Sequence, residues 1–598
     1  MTCTMENKDI QERITGLEQE IVQLPKGSIS KKTIGGKDYY YHRISLNGER
    51  KEEYIPADEV ETLRKKIEQR KALEVELKQL KKIVPTQKSN VAQHKFITNV
   101  QTGQSLYAYA SSVRNYKKRQ CYDILHSYVY GDMRDKVFIL YGLRRTGKTT
   151  LIRQILLNMT DADLKKAAFI QITPQDTLAD LNKDMKYLES QGYRYVFIDE
   201  VTLLDDFIEG AALFPDIFAA CGMKIVLSGT DSLGFIFSED EQLYDRCIML
   251  HTTFIPYREF EQVLGIKGID EYIKYGGTMS LSRVNYNRSI FANSKSTDEY
   301  VDTAIAKNIQ HSLRCYQHEG HFRSLQKLYE KNELTSAINR VVEDINHRFT
   351  LDVLTRDFKS GDLAISAKNL RSDRNSPTDI LDRIDIESVT ASLRKLLEIR
   401  NKNDQSVEID DACIAQIKEY LHLLDLIVDI DIVSLPDVND VTERTVVTQP
   451  GLRYAQANAL ITSLLEDKTF ASLSLVERTA VQNRILSEIM GRMTEDIVLL
   501  ETKLSRRDMQ VFKLQFAVGE FDMVIFDRAN LCCQIFEIKH STEVNPAQYR
   551  HLTDEEKCRQ TEHRYGQITK KAVLYRGESH MEGDIEYINI EEYLCNLK

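Results

Sequence analysis

Tryptophan is absent from the 598 residues, and glycine (26) and proline (10) are scarce, both below the usual ~7% and ~5% of a soluble chain. Few turn-formers predict long helices in preference to tight turns and loops. No apolar run approaches the ~18 residues of a membrane span, and Met1 to Ile14 is polar and acidic. Neither a membrane helix nor a secretory signal is therefore expected. The ten cysteines include no CxxC pair, only the adjacent Cys532 and Cys533, so reduced thiols in the cytoplasm are expected and a zinc or disulfide framework is not. Excess positive charge is lacking too, with 80 Lys and Arg against 90 Asp and Glu, net −10. Such a chain does not coat nucleic acid as a polycation, so any contact with DNA must come from local basic patches.

What is present, 42% hydrophobic and 28% charged residues, suffices for ordinary cores and excludes a disordered chain. The length predicts about three to five domains. Ile10, Ile14, Leu17, Ile21 and Leu24 recur at 4-3-4-3 spacing before Pro25, a coiled-coil seam. From Ser28 to Ile55 short β-rich runs broken by Gly35-Gly36 and Asn47-Gly48 predict a three-stranded meander. A charged helix follows from Asp58 to Ile83, completing a module over 1–85. Its Lys31, Lys32, Lys37, Tyr39, Tyr40, Tyr41 and Arg43 interleave basic and aromatic groups. Two readings stay open: a platform that stacks bases and holds phosphates, or an ordinary ribbon with solvated lysines. Residues 86–130 read as a connecting segment, and its Arg114 to Arg119 stretch (RNYKKR) as a guide for nucleic acid or a protein partner.

The apolar run Val137 to Tyr141 leads into Gly142-Leu-Arg-Arg-Thr-Gly147-Lys148-Thr149, the pattern G-x-x-x-x-G-K-T. Glycines let successive backbone N–H groups curl around phosphates, Lys148 reaches the β and γ oxygens, and the Thr149 hydroxyl coordinates Mg²⁺. Leu151, Ile152, Ile155, Leu156 and Met159 then keep helical spacing, which puts a helix N-terminus against the anion. Gly142, Arg145, Thr146, Gly147, Lys148, Thr149 and Thr150 are accordingly the candidate ATP-binding residues. Tyr195-Val-Phe-Ile-Asp199-Glu200 is a Walker B pattern, with Asp199 holding Mg²⁺ through water and Glu200 polarising the attacking water. The strand Lys224 to Leu227 delivers Ser228-Gly229-Thr230, and Ser228 and Thr230 are equal candidates for a γ-phosphate sensor.

GLRRTGKTT, FIDE, the strand ending in SGT, the Asp245-Arg246 pair, FIPYREF at 254–260 and YGGT at 275–278 together resemble the prokaryotic AAA-type ATPases of the archaeal-ATPase-like group. The resemblance runs from about residue 131 to the C-terminus. It implies a P-loop core, a helical lid, a winged-helix region that can read DNA grooves, and a C-terminal nuclease-like domain, with roles in defence or mobile-element biology. It also implies an arginine finger, for which Arg246 is the candidate and Arg258 the alternative; a homo-oligomer is a separate expectation.

Residues 476–503 read as a long helix and Val511 to Phe516, Phe521 to Phe526 and Leu531 to Ile538 as three strands. Asp522 opens the second strand, and Glu537-Ile538-Lys539 ends the third, in the pattern D-x14-E-x-K. Strand alternation points Glu537 and Lys539 to one face. Carboxylates so placed can hold Mg²⁺, while a lysine positions water or offsets charge on the phosphate. With no ion between them, Asp522 and Glu537 are expected to repel each other. The arrangement resembles the PD-(D/E)xK nuclease superfamily, which implies Asp522, Glu537 and Lys539 as catalytic residues and Glu495 on the long helix as a further metal ligand. Gln548 matches a polar residue of that fold, and Lys513, Arg506 and Arg507 could meet phosphate or solvent.

The expected fold class is thus α/β multidomain: an N-terminal module (1–85), a connecting segment (86–130), a P-loop ATPase core (131–265), a helical lid (266–345), a helical or winged-helix-like domain (346–474) and a restriction-endonuclease-like domain (475–598). The expected activity is Mg-ATP hydrolysis coupled to a metal-dependent site acting on DNA. The alternative is a signalling or scaffold ATPase whose N-terminal module takes a protein partner and whose C-terminal domain only binds.

Overall fold

The computed structural model describes residues 17, 20–21, 24–34, 37–46, 49–56, 58–83, 95–230, 234–235, 242–252, 254–278, 322–331, 333–357, 409–435, 441–466 and 474–597. Met1–Lys95 and Phe96–Lys598 form two compact units.

In the first unit β1 (Ser28–Ile34), β2 (Lys37–Leu46) and β3 (Glu49–Ile55) make the expected meander, followed by helix α1 (Val60–Ile83). The pairs Ile34 with Lys37 and Leu46 with Glu49 close each hairpin. Gly35-Gly36 and Asn47-Gly48 themselves lie outside the described residues, as do Ile10 and Ile14 of the seam. Leu17 and Ile21 are buried, and Arg70 of α1 donates to the carbonyls of Ile21 and Leu24. Lys31 is 2.7 Å from Asp38, and the Lys32 ammonium sits 4.8 Å from the centre of the Tyr41 ring. The side chains of Lys37 and Tyr39 lie outside the described residues.

The second unit holds two sheets. The first uses β4 (Asn99–Thr102), β5 (Val137–Tyr141), β6 (Ala167–Gln171), β7 (Tyr195–Asp199), β8 (Lys224–Gly229) and β9 (Cys247–His251), in the order β4-β6-β7-β8-β5-β9. All neighbours are parallel except β4 on β6. The near-continuous apolar text of β5 to β8 follows from that, because parallel strands are covered on both faces. One correction concerns 86–130. From Phe96 onward that stretch is not a connector: β4 extends the ATPase sheet, and α2 (Gly103–Ser111) and α3 (Tyr122–Tyr130) bury Leu106, Leu125 and Tyr128 against Ile152 and Ile155 of the P-loop helix α4 (Lys148–Leu157).

Beyond the sheet come α5 (Tyr257–Leu264), α6 (Ile269–Tyr275), α7 (Arg323–Glu330), α8 (Leu334–Asp357) and α9 (Asp411–Leu423). Leu143 of the P-loop packs under α7, α8 and α9 with Leu325, Ile338 and Tyr420, so the helical cover begins on the loop itself. Much of the expected lid, and residues 358–408 of the expected winged-helix-like domain, lie outside the described residues.

The second sheet has eight strands: β10 (Ile427–Ser434), β11 (Val441–Val447), β12 (Gln510–Gln515), β13 (Glu520–Asp527), β14 (Cys532–Ile538), β15 (Gln567–Tyr575), β16 (His580–Glu582) and β17 (Ile585–Asn589). Their order is β11-β10-β12-β13-β14-β15-β17-β16. Between β11 and β12 run α10 (Pro450–Leu465) and the long α11 (Leu475–Ser505), whose Ile485, Ile489, Met493 and Val498 are buried as the periodicity requires. The boundary at 475 does not hold as a structural division. The hairpin β10–β11, in the place expected of a wing, pairs with β12 in parallel and belongs to the C-terminal sheet. Among the described residues no helix is long and apolar enough to cross a membrane, and the described cysteines are free thiols.

Candidate functional site

The P-loop leaves the carboxyl end of β5 and enters α4 through a backbone that only small residues make easily. Gly142 and Gly147 have φ of 134° and 94°, and a Cβ on Gly142 would lie 2.4 Å from the Thr252 carbonyl oxygen. Between them Lys148 folds back and donates to the carbonyls of Gly142 (2.7 Å) and Leu143 (2.8 Å). Burial pushes the Lys148 ammonium down to about 8, against the pull of Glu200 and Asp199. Thr146 is tied inward, to the Leu143 carbonyl and the Thr252 hydroxyl, both at 2.9 Å.

The sheet order inserts β8 between the P-loop strand and the Walker B strand, so the ends of β5, β8 and β7 face one space. Thr149 donates to Asp199 Oδ2 at 2.9 Å, and Ser228 donates to Asp199 Oδ1. A Mg²⁺ ion fits that donor set, a hydroxyl beside a carboxylate at the phosphate end of the loop. Glu200 adopts φ 58°, a left-handed conformation unfavourable for a side chain of its size. Its Oε2 accepts from the Thr230 amide (3.3 Å) and hydroxyl (3.1 Å). Burial and the neighbouring Asp199 charge raise the Glu200 carboxyl. Ser228 and Thr230 thus divide the two acids between them.

A cavity of about 350 Å³ opens here, lined by the expected Arg145, Gly147, Lys148, Thr149, Thr150, Glu200 and Thr230. Gly142, Thr146, Asp199 and Ser228 lie behind that lining. Sequence reasoning missed its other wall, Asn115, Tyr116 and Lys117 on one side and Val263 and Leu264 on the other. Half of the RNYKKR stretch is therefore pocket wall, and Arg119 at its end is buried: it donates to the Thr146 carbonyl (2.6 Å) and pairs with Glu259 of α5 (2.5 Å). The structure does not bring Arg246 to the pocket of its own chain; it pairs with Asp216 at 2.8 Å, half exposed. Arg258 donates to Gln120 Oε1 at 2.9 Å.

The second cluster sits where β13 and β14 run side by side. Lys539 Nζ lies 3.0 Å from Asp522 Oδ2 and 2.7 Å from Glu537 Oε2, and the Ile538 amide donates to Asp522 at 2.9 Å. Lys513, almost fully buried, is 2.7 Å from Glu520 and 3.5 Å from both Asp522 and Glu495. Ammonium groups thus stand where repulsion between bare acids was expected. Burial alone would raise Asp522, but Lys539 and Lys513 hold its carboxyl well below the usual range. Burial and then the Asp522 charge push Glu537 well above it. Of the two, Asp522 is the acid held ionised and Glu537 the one more readily protonated, and Glu537 Oε1 accepts no hydrogen bond.

Glu495 is not part of that pair. Arg492, one helical turn earlier, and Lys513 take its carboxylate, and it meets Asp522 only through the Lys513 ammonium. Among the described residues no three acidic, His or Cys side chains form a group arranged to hold a metal. Asp522 and Glu537 both face a cleft of about 720 Å³ whose opposite wall carries Asn545, Gln548, Arg550 and His551. Gln548 braces that wall by donating to Ser541 Oγ (3.1 Å) and the Glu543 carbonyl (2.9 Å). Gly519, at φ 85°, lets the His551 ring come within 2.4 Å of where a Cβ would sit. Arg506 and Arg507 are exposed, outside this lining. Glu520 is the acid that sequence reasoning missed; it follows a glycine in a turn and nothing in its spacing marks it.

Residues 134–261 match the family described as AAA domain, and this part of the chain is an AAA-type P-loop ATPase domain. Residues 7–65 match a domain of unknown function (DUF6788), which spans the meander. Two solved structures align at low identity. The Aeropyrum pernix Orc1 protein in complex with DNA is 12% identical, over 61% of this chain and 94% of that one, with a TM-score of 0.20. A structure concerning katanin self-assembly is 13% identical, over 37% and 82%, with a TM-score of 0.18. No curated protein matches the chain.

Proposed function

We propose that this protein hydrolyses Mg-ATP at the pocket between β5 and β7 and couples it to a metal-dependent C-terminal site that acts on DNA. In the first site Lys148 and the loop amides bind the phosphates, Thr149 and Asp199 hold the ion, and Glu200 orients the attacking water once Thr230 releases it. The observation that carries the second site is a buried acid pair with a lysine across it, opening on a large polar cleft, in which one carboxyl oxygen of Glu537 has no partner. Asp522 and Glu537 would hold one divalent ion, which supplies Lewis acidity and a more acidic bound water. Lys539 offsets the charge that develops on a phosphodiester, and Arg550 on the facing wall takes a neighbouring phosphate.

A binding-only reading has its own support: Lys513 and Lys539 already neutralise the acids. Incubating the full chain with plasmid and single-stranded DNA, with Mg²⁺ or Mn²⁺ and with or without ATP, separates the two. Cleavage lost in Asp522→Ala and Lys539→Ala supports the nuclease; none in any state supports binding alone, with a protein or nucleic-acid partner carrying the output.

A further inference from the structure

The two sites lie in different sheets, yet a short run of chain touches both. Val263 and Leu264 line the nucleotide cavity at the end of α5. Six residues on, at the start of α6, Asp270 reaches the C-terminal sheet. Its Oδ1 is 2.8 Å from His540 Nε2 and its Oδ2 is 2.8 Å from Arg576 Nη2. His540 directly follows Lys539, and Arg576 leaves β15, the strand whose Leu574 carbonyl accepts from the Lys539 amide at 2.8 Å. The Asp270 carboxylate therefore holds two side chains, that of His540, next to the lysine in the chain, and that of Arg576, two residues beyond the carbonyl that takes the lysine amide.

The other end of this corner is held equally firmly. Arg119 ties Glu259 of α5 to the P-loop carbonyl of Thr146. At the helix start the Tyr257 amide donates to Glu501 of α11 at 2.8 Å, and at the corner the Ile269 amide donates to Glu591 at 2.9 Å. Two glycines with left-handed φ, Gly265 (71°) and Gly268 (102°), lie between α5 and α6, so the corner can change angle without breaking either helix.

We propose that Asp270 is a positioning residue for Lys539, through which the occupant of the nucleotide pocket sets the C-terminal site. This rests on reading Lys539 as part of a site that acts on phosphodiesters. A phosphate-laden P-loop moves Thr146 and α5 together, α6 follows through the glycine corner, and Asp270 shifts His540 and Arg576. Lys539 meets both acids at hydrogen-bond distance, so a displacement of about 1 Å there changes its hold on them and on a substrate.

Amide hydrogen exchange on the full chain, with and without a non-hydrolysable ATP analogue and Mg²⁺, tests this directly. The wild type is expected to change exchange at residues 539–541 by at least about five-fold on binding the analogue, the lower end of ordinary coupling. Asp270→Asn is expected to lose that response while calorimetry finds unchanged analogue affinity, and Asp270→Glu to restore part of it. Where the wild type cleaves DNA, the ratio of rates with and without nucleotide should fall toward one in Asp270→Asn. An exchange pattern at 539–541 indifferent to bound analogue, or a full response in Asp270→Asn, overturns the proposal. If Asp270→Asn does not fold, the wild-type exchange decides alone. Absence of cleavage in every state overturns the nuclease reading and leaves the exchange result to decide this one.

Discussion

Each site of this protein sets a lysine beside two acids, and the two lysines are in opposite situations. Lys148 donates only to backbone carbonyls, and burial brings it down to about 8. Lys539 is bonded to two carboxylates; burial works against its charge, but Asp522 and Glu537 outweigh that and hold its pKa above the usual lysine range. A lysine supplied only with dipoles is poised to take an anion, whereas one already paired with carboxylates resists losing them. The nucleotide pocket is thus built to gain a charge, and the C-terminal cluster is already charge-balanced.

The largest expected effect breaks the first half of this contrast. Lys148→Ala should abolish ATP binding, and calorimetry finding affinity unchanged would remove the P-loop from its role. Glu200→Gln should keep affinity and lower hydrolysis by on the order of 10²-fold or more; turnover near wild type would turn the search to another carboxylate, such as Asp205.

The second half is tested by stability. Asp522→Ala takes from Lys513 and Lys539 the acid they share but leaves Lys513 its Glu520 and Lys539 its Glu537, so it should cost about 1–3 kcal/mol in urea unfolding. Stability equal to wild type would mean that repulsion between Asp522 and Glu537 matters more than the ammonium groups between them. A comparable effect concerns Glu501, where α5 meets α11. Burial raises its carboxyl from 4.5 to about 7. Between those pH values the folded chain keeps a proton that the unfolded chain has released. Stability from this group is therefore full below about 4.5 and falls as pH rises through 7, by roughly 3 kcal/mol. Glu501→Gln should flatten that slope and be the more stable protein at pH 8; an unchanged slope in thermal melts counts against the buried acid.

The smallest effect belongs to the N-terminal unit. If Lys32, Tyr41 and their neighbours touch DNA, deleting residues 1–85 should weaken binding and lower the salt slope by about 0.9 for each phosphate contact removed. Lys31 already pairs with Asp38, so few contacts are at stake. An unchanged slope would favour a protein partner for the meander.

What could be read from the chain was what local pattern controls. The glycine spacing of the P-loop, the apolar run before Asp199 and the alternation that turns Glu537 and Lys539 to one side are dictated within a few residues, and each stands in the structure where the pattern put it. Asn115 to Lys117 were misread because a basic run says nothing about which sheet it will fold against. The β10–β11 hairpin was misplaced for a similar reason: its partner β12 is some sixty residues further on, and parallel pairing at that distance leaves no local trace. Glu495 shares a helix face with the right neighbours, but Arg492 one turn away claims it, a competition that spacing alone does not settle.

The shared sheet has a practical side for anyone wishing to cut this protein apart. A fragment beginning at residue 475 would strip β10 from β12 and bare the ladder edge at Lys513 to Gln515, the first of which is the buried lysine that holds Glu520 and Asp522. Bare edges of that kind recruit other chains, so such a fragment should aggregate and lose its acid cluster together. One that starts before Asp410, at the N-cap of α9, keeps the hairpin beside β12 but loses α8, whose Phe349 and Val353 pack with Leu460 of α10 and Ile489 of α11, so the full chain is the form in which the C-terminal chemistry is to be assayed.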